Sequence, residues 1–160
     1  MKLMFRDRFF SSGETEIFSE SQKLLGTLDL RSAFTSTVDV YDQTGAIRCS
    51  GRFPMLSNKW EVTGSHGESL GLLRERMTLF SKKFTYETDR RGEYDITSEA
   101  FSKEYEIYDM QERLVAKFEQ TSSWFESGAY CLDNQSSRLD DYELVAVIMG
   151  MHEIQQRDHH

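Results

Sequence analysis

Eight consecutive apolar or glycine positions, Leu144 to Met151, stand near the C-terminus of a strongly charged chain. Asp140 and Asp141 come before this run, and Met, His, Glu and Gln residues follow its end. A buried strand could use the same apolar residues, but the acidic start and the residues beyond it favour a helix. A helix over this run is apolar on every face, so it must be buried on all sides. We therefore predict a central helix over about 140–154, enclosed by the rest of the protein.

Period-two alternation dominates the sequence before this run. Apolar and polar residues alternate, with many β-branched and aromatic side chains, over residues 37–42, 83–89, 105–109 and 113–119. This pattern is typical of half-buried strands. Turn residues separate the strands at short spacing, which indicates an antiparallel sandwich or barrel. Because there is one proline and no low-complexity linker, the 160 residues are predicted to form a single domain.

An internal repeat refines this prediction. GETEIFSE at 13–20 matches GEYDITSE at 92–99, and VDVYDQTGAIRC at 38–49 matches YEIYDMQERLVA at 105–116. The offsets of 79 and 67 differ by twelve, so the second copy lacks about one strand and its turn. We interpret the chain as two β-meanders that close a barrel around the central helix. The predicted segments are about 1–80, 81–133 and 140–154.

Charge and cysteine content limit the function classes. The net charge is −8; residues 1–80 carry ten basic and ten acidic side chains, and residues 81–160 carry nine and seventeen. This acidic excess argues against a nucleic-acid partner. Cys49 and Cys131 have no metal-ligand spacing, and charged residues interrupt the N-terminus where a signal peptide needs an apolar run. We expect a cytoplasmic protein with reduced thiols, no metal, no cofactor and no transmembrane segment.

Several blocks of sequence together resemble one known family. RFFSSGETEIFSE, VDVYDQTG, YEIYD and the terminal LVAVIMGMHEI follow one another as in the LOR family. The resemblance covers nearly the whole chain and rests on the order of these blocks. It implies a twelve-stranded barrel around a central apolar helix, similar to the tubby C-terminal domain and, more distantly, to phospholipid scramblases. The family has no settled biochemical activity, so the resemblance supplies only analogies for function.

The tubby analogy points to basic residues, because tubby domains hold phosphoinositide headgroups with clustered Lys and Arg. The corresponding ligand-binding candidates are three pairs: Arg74 with Arg76, Lys82 with Lys83, and Arg90 with Arg91. The scramblase analogy is weaker, because DNQSSRLDD at 133–141 lacks the alternating carboxylates and central glycine of a calcium loop. We therefore expect a binding module for a lipid headgroup, a small anion or a protein. The alternative is an interaction protein without a small ligand, and an enzyme ranks below both.

Other conspicuous residues have ordinary structural explanations. His66 in GSHGES is a candidate base, but a solvated turn explains it better. Cys49 aligns with Ala116 in the repeat, which predicts a small buried position rather than a nucleophile. Acidic residues at repeated positions are raw material for acid–base chemistry, although outward strand faces account for them: Glu14, Glu16, Glu93 and Asp95. Three aromatic residues are expected in the core or at the barrel rim: Trp60, Trp124 and Phe125.

Overall fold

The computed structural model describes residues 1–31, 36–76, 78–79, 81–99, 102–122 and 127–158. In this part of the chain, twelve strands precede one C-terminal helix. In chain order the elements are β1 (Lys2–Phe5), β2 (Gly13–Ser19), β3 (Leu24–Arg31), β4 (Thr37–Asp42), β5 (Ile47–Arg52), β6 (Trp60–Gly64), β7 (Ser69–Arg76), β8 (Ser81–Glu87), β9 (Glu93–Glu99), β10 (Tyr105–Tyr108), β11 (Leu114–Gln120), β12 (Tyr130–Asn134) and α1 (Asp141–Arg157).

The strands form one closed antiparallel barrel. Each strand pairs with its neighbours in the sequence, and β1 pairs with both β2 and β12, which closes the sheet. Side chains alternate between the two faces of the wall, as on β9, where Tyr94, Ile96 and Ser98 are buried and the intervening residues are more exposed. Closure leaves none of the twelve described strands at an open sheet edge. The predicted fold, a mainly β closed antiparallel barrel of about twelve strands with a buried C-terminal apolar helix, is confirmed.

Helix α1 is enclosed by the barrel, as its all-round apolar pattern predicts. The side chains from Leu144 to Met149 are 0% exposed. Asp140 caps the first turn, because its side chain accepts a hydrogen bond from the Tyr142 amide. The helix runs on to Arg157 rather than ending near 154, and Arg157 donates to the carbonyl of Ser57 at the barrel rim.

Helix α1 packs closely against the wall at Trp60. The buried Trp60 ring donates from Nε1 to the carbonyl of Ala146 at 3.1 Å. A Cβ atom added at Gly51 on β5 or at Gly150 on α1 would overlap this ring. Trp60 therefore fills a slot that two glycines leave open, which confirms its predicted place in the core.

Four hairpin turns lie where α1 begins, and they share one backbone geometry. They join β2 to β3, β4 to β5, β6 to β7, and β10 to β11. In each turn the first residue bonds through its carbonyl to the amide of the fourth and through its amide to the carbonyl of the fifth. The fourth residue has a positive φ, between 61° and 85°. These residues are Gln22, Gly45, Gly67 and Glu112.

We call the end with turns 20–23, 43–46, 65–68, 88–92 and 109–113 the helix-start end. The opposite end, where the last turn of α1 meets residues 53–59, is the helix-finish end. All five turns at the helix-start end fall within described residues. The helix-start end is therefore the place where the barrel wall, the turns and the first turn of α1 can be compared residue by residue.

The repeated sequence blocks occupy similar local environments. Gly13, the first residue of β2, and Gly92, the residue before β9, both have a positive φ, of 100° and 95°. Cys49 and Ala116, which the repeat also aligns, are 1% and 2% exposed, so the predicted small buried position is confirmed. Strand β3 falls in the segment that the second copy lacks. The boundaries of the two repeats stay a prediction.

Candidate functional site

The three basic pairs predicted to bind a ligand do not come together in space. Arg74 and Arg76 leave β7 on its outer face, and Lys83 is exposed on the neighbouring strand β8. Lys82 lies at the helix-finish end, where its Nζ donates to Gln155 of α1 at 3.2 Å. The pair at 90 and 91 lies at the opposite end of the barrel, in the turn between β8 and β9. These residues therefore cannot form one site.

The outer-face residues already have carboxylate partners. Arg74 Nε donates to Glu87 at 2.8 Å, and Arg76 Nη1 donates to Asp95 at 3.3 Å. Arg76 and Lys83 border a cavity of ≈ 270 Å³ whose other charged residues are all acidic: Asp95, Asp109 and Glu112. Because carboxylates outnumber cations there, this surface is poorly suited to an anion.

Arg91 has a structural partner in the first turn of α1. Its Nη1 and Nη2 donate to the two carboxylate oxygens of Glu143 at 2.6 and 2.9 Å, and Tyr86 donates to the same carboxylate at 2.5 Å. The Glu143 side chain is only 3% exposed. The hydrogen bond from Arg91 to Glu143 raises the pKa of Arg91. The pKa of Tyr86 is raised mainly by burial and next by the negative charge of Glu143. Arg91 also donates to the carbonyls of Leu70 and Arg138, so it ties the helix to the wall.

A groove of ≈ 450 Å³ opens at the helix-start end, where residues 91–94, 109–115 and 135–138 meet. Its volume falls within the range of small-molecule sites. Three arginines line it: Arg91, Arg113 and Arg138. Arg113 Nε donates to Asp109 at 2.9 Å. In the described part of the chain, no carboxylate lies within 4.0 Å of the Arg138 guanidinium, so this cation faces the groove without an acidic partner.

The groove also has an unpaired acid and an apolar rim. Glu93, the first residue of β9, lines it and has no cationic side chain within 4.0 Å among the described residues. Met110 and Leu114 in the same lining are 68% and 47% exposed. The groove therefore offers one anionic, one cationic and one apolar contact.

Sequence reasoning named Arg91 and Glu93 among its candidates but did not name Arg138, which also lines the groove. This residue stands in DNQSSRLDD, which the sequence suggested only as a poor calcium loop. One signal could have located it: Arg138 is the only basic residue between the last strand and α1. A connection that feeds a central helix must cross the mouth of the barrel, where a charged side chain can meet a ligand.

The residues with catalytic chemistry are placed as structural groups. His66 lies in an exposed turn, where Ser65 Oγ and Glu68 both approach the same ring nitrogen, Nδ1, at 3.1 and 3.8 Å. Because one nitrogen meets both partners, the ring cannot relay a proton between them. The buried Cys49 thiol donates to the carbonyl of Tyr142 at 2.9 Å, and burial raises its pKa.

The acids at repeated positions are on the outward strand faces, as expected. Glu16 and Asp95 lie near Arg6 and Arg76, at 3.8 and 3.3 Å. Among the described residues, no three His, Cys, Asp or Glu side chains are grouped to hold a metal ion. No helix in the same ranges is long and apolar enough to cross a membrane. Trp124 and Phe125 lie outside the described residues.

Comparison with known proteins agrees with this architecture. An X-ray structure of a protein from Arabidopsis thaliana is similar to this chain, with a TM-score of 0.67 and 12% sequence identity. The match covers 96% of this chain and 91% of the plant protein, and at this identity it shows a shared fold. No curated protein matches the chain. The LURP-one-related family matches residues 1–150, so the chain belongs to the LURP-one-related (LOR) family.

Proposed function

We propose that this chain is a non-enzymatic binding module of the cytoplasm that holds an anionic group in the groove beside Arg138. The observation that carries the proposal is the guanidinium of Arg138, which has no carboxylate within 4.0 Å in the ranges that the structure describes. Guanidinium groups bind carboxylates and phosphates through strong, charge-assisted hydrogen bonds. Arg91 and Arg113 lie in the same lining and add positive potential.

The non-enzymatic part of the proposal is supported by the state of the candidate nucleophile and bases. Cys49 is 1% exposed, so its thiol is closed to a substrate. His152 stacks on Phe10 with ring centroids 4.4 Å apart, and burial lowers its pKa to about 4. His66 is open to solvent, and its two partners, Ser65 and Glu68, approach the same ring nitrogen. None of these groups borders the groove.

A soluble anion fits the groove better than an anionic membrane surface does. Attraction to such a surface contributes about 1 kcal/mol for each nearby Lys or Arg, and nearby acids oppose it. The chain carries a net charge of −8, which repels an anionic bilayer. Lipid headgroups remain within the proposal only as ligands that enter the groove itself.

Titration with inorganic phosphate and with acetate, followed by NMR, tests the proposal. We expect saturable shifts at the arginine Nε–Hε signals and at the amides of 109–115 and 135–138. Arg138→Gln should weaken binding about tenfold or more, because a charge-assisted hydrogen bond contributes about 1.5–3 kcal/mol. Arg90→Gln is the matched control, because this residue lies beside the groove lining with its side chain 92% exposed. Equal binding by the two variants, or shifts spread over the whole barrel, contradicts the assignment.

Exposed apolar side chains favour a second candidate, an interaction protein that binds through the helix-finish end. Met55 and Leu56 are 92% and 103% exposed in the connection from β5 to β6, and Leu79 is 91% exposed. Large apolar side chains gathered in the open mark interaction surfaces. Sedimentation velocity tests this candidate: self-association that disappears in a Met55→Ser, Leu56→Ser variant supports it, whereas a concentration-independent monomer contradicts self-association through this end.

A further inference from the structure

We propose that the ligand of this groove is a small zwitterion with a protonated amine and a carboxylate or phosphate. The inference rests on the proposed anion site at Arg138 and adds a second contact, between the amine and Glu93. It also assigns the exposed apolar rim to the ligand's side chain. The geometry that carries it is the set of charges left unpaired in one cavity.

Five charged residues line the groove, and three of them are already paired. Arg91 holds Glu143, and Arg113 holds Asp109. The two that remain are Glu93 and Arg138, which have opposite charges. In the described ranges no ion-pair partner lies within 4.0 Å of either residue, so their own charged groups are also farther apart than that distance. Both residues line the same groove, so we infer that one ligand in this groove contacts both charges.

A simple anion would satisfy only half of this arrangement. Its charge would bind Arg138 but would also approach the unpaired carboxylate of Glu93, and like charges in one recess oppose binding. A zwitterion places its amine beside Glu93 and its anionic end beside Arg138. Both side chains then gain a charge-assisted hydrogen bond.

The apolar lining indicates what lies between or beside the two charged ends. Met110 lies near Gly92, since a Cβ added there would be 3.9 Å from Met110 Sδ. The adaptable thioether of Met110 and the exposed Leu114 form an apolar contact at the rim. A volume of ≈ 450 Å³ admits an amino acid or a dipeptide with an apolar side chain. A phosphoethanolamine headgroup has the same two charges and is the lipid source of the same chemistry.

Three dipeptide derivatives separate the contributions of the two charges. Leu-Leu carries both charges, N-acetyl-Leu-Leu keeps only the carboxylate, and Leu-Leu amide keeps only the amine. With the full chain in calorimetric or NMR titrations, we expect Leu-Leu to bind at least tenfold more tightly than either derivative. Arg138→Gln should weaken the binding of Leu-Leu and of N-acetyl-Leu-Leu to the same extent, because both carry the carboxylate.

Glu93→Gln gives the decisive readout. This variant should weaken the binding of Leu-Leu about tenfold. It should leave the affinity for N-acetyl-Leu-Leu unchanged or raise it, because the carboxylate of Glu93, which repels an anion, has been removed. Glu99→Gln is the matched control, since it removes an exposed charge from the other end of the same strand, outside the groove. Circular dichroism confirms that each variant is folded before its affinity is compared.

Vesicle binding distinguishes the two sources of a zwitterion. Binding to phosphatidylethanolamine vesicles that Glu93→Gln abolishes, together with weak dipeptide binding, assigns the same chemistry to a lipid headgroup. Equal affinity for Leu-Leu and N-acetyl-Leu-Leu, unchanged by Glu93→Gln, overturns the zwitterion inference but leaves the anion site intact. Absence of binding by phosphate, acetate, all three dipeptide derivatives and the vesicles at millimolar concentration overturns both proposals.

Discussion

The two ends of the barrel hold the central helix in different ways. At the helix-start end, the buried carboxylate of Glu143 is fixed by Arg91 and Tyr86 through three hydrogen bonds of 2.5–2.9 Å. At the helix-finish end, Gln155 of α1 accepts a hydrogen bond from Lys82 at 3.2 Å and donates one to the hydroxyl of Tyr105 at 2.7 Å. Among these contacts, the first end uses a buried carboxylate paired with a guanidinium, and the second uses the uncharged amide of Gln155.

The connections between strands also differ between the two ends of the barrel. Five short turns close the helix-start end, and the groove with opposite charges lies between two of them, 88–92 and 109–113, and the connection at 135–138. The helix-finish end has longer connections, such as residues 53–59, with Met55 and Leu56 almost wholly exposed. A rigid rim can keep charged groups in fixed positions for a small ligand, whereas exposed apolar side chains suit a partner surface.

Removing the cation at the helix-start end should give the largest effect on stability. Arg91→Ala leaves Glu143 buried without its ion-pair partner, and we expect a loss of about 3–5 kcal/mol in the free energy of unfolding. Gln155→Ala, the corresponding change at the helix-finish end, should cost only about 1 kcal/mol. Urea denaturation measures both, with the exposed Arg90→Ala as a control that should change little. Equal losses for Arg91→Ala and Gln155→Ala would remove the distinction between the two ends.

Close packing, rather than charge, should dominate nearer the helix-finish end. Gly150→Ala would ordinarily stabilise a helix by about 1 kcal/mol, but here the added methyl overlaps the ring of Trp60. We expect a net loss of about 1–3 kcal/mol from overpacking. The measurement is the midpoint of thermal or urea unfolding. The double variant Gly150→Ala, Trp60→Phe should lose less stability than the two single changes combined, because the smaller ring yields space.

Much of the fold could be predicted from sequence because the apolar run has only one stable environment. A helix without a polar face requires enclosure, and the alternating strands supply a closed wall. The alignment of Cys49 with Ala116 also identified a buried position, since a repeat places equivalent residues on the same face of the sheet. The extension of α1 to Arg157 was not predicted, because the apolar pattern ends before Gln155 and the last turn is polar.

Less of the candidate site than of the fold could be predicted from the sequence. Basic pairs near in sequence were separated by strand geometry, since Lys82 and Lys83 alternate between the two faces of β8. Arg74 is paired with Glu87 through strand register that the sequence does not specify. The groove combines segments near residues 91, 110 and 137, which meet only after the barrel closes.

Two turns at the helix-start end each hold a residue other than glycine in the left-handed backbone region. Glu112 has a φ of 61°, a conformation in which a side chain costs about 1 kcal/mol, whereas the matching Gly45 and Gly67 avoid this cost. Glu112→Gly should therefore raise the free energy of unfolding by about 0.5 kcal/mol after the added chain entropy of glycine is counted. Gly45→Ala is the converse test and should destabilise the protein. A loss of stability in Glu112→Gly would show that its side chain, rather than its backbone, matters in the turn.

The smallest expected effect is the pH dependence that Glu75 adds at the helix-finish end. Burial, together with the neighbouring Asp158, raises the pKa of Glu75 to about 7, while burial lowers the pKa of His152 to about 4. A carboxyl group whose pKa is raised by folding stabilises the folded state below its unfolded pKa, and this contribution is lost as the pH rises towards 7. His152 acts in the opposite sense, because the folded state loses stability as the pH falls from about 6.5 towards 4.

Glu75→Gln separates these two contributions. The variant should match the wild type near pH 4 and exceed it at pH 8 by about 0.5 kcal/mol, a value kept small because solvent screens a partly exposed group. Urea unfolding at pH 4, 6 and 8 measures the difference, with Glu93→Gln as a control whose carboxylate lies at the helix-start end. If the Glu75→Gln and Glu93→Gln variants show the same pH profile, the response is a general charge effect and the two ends do not differ in their titration. A profile that Glu75→Gln alone flattens between pH 5 and 7 places the titrating carboxyl beside the last turn of α1, where Asp158 adds a second negative charge.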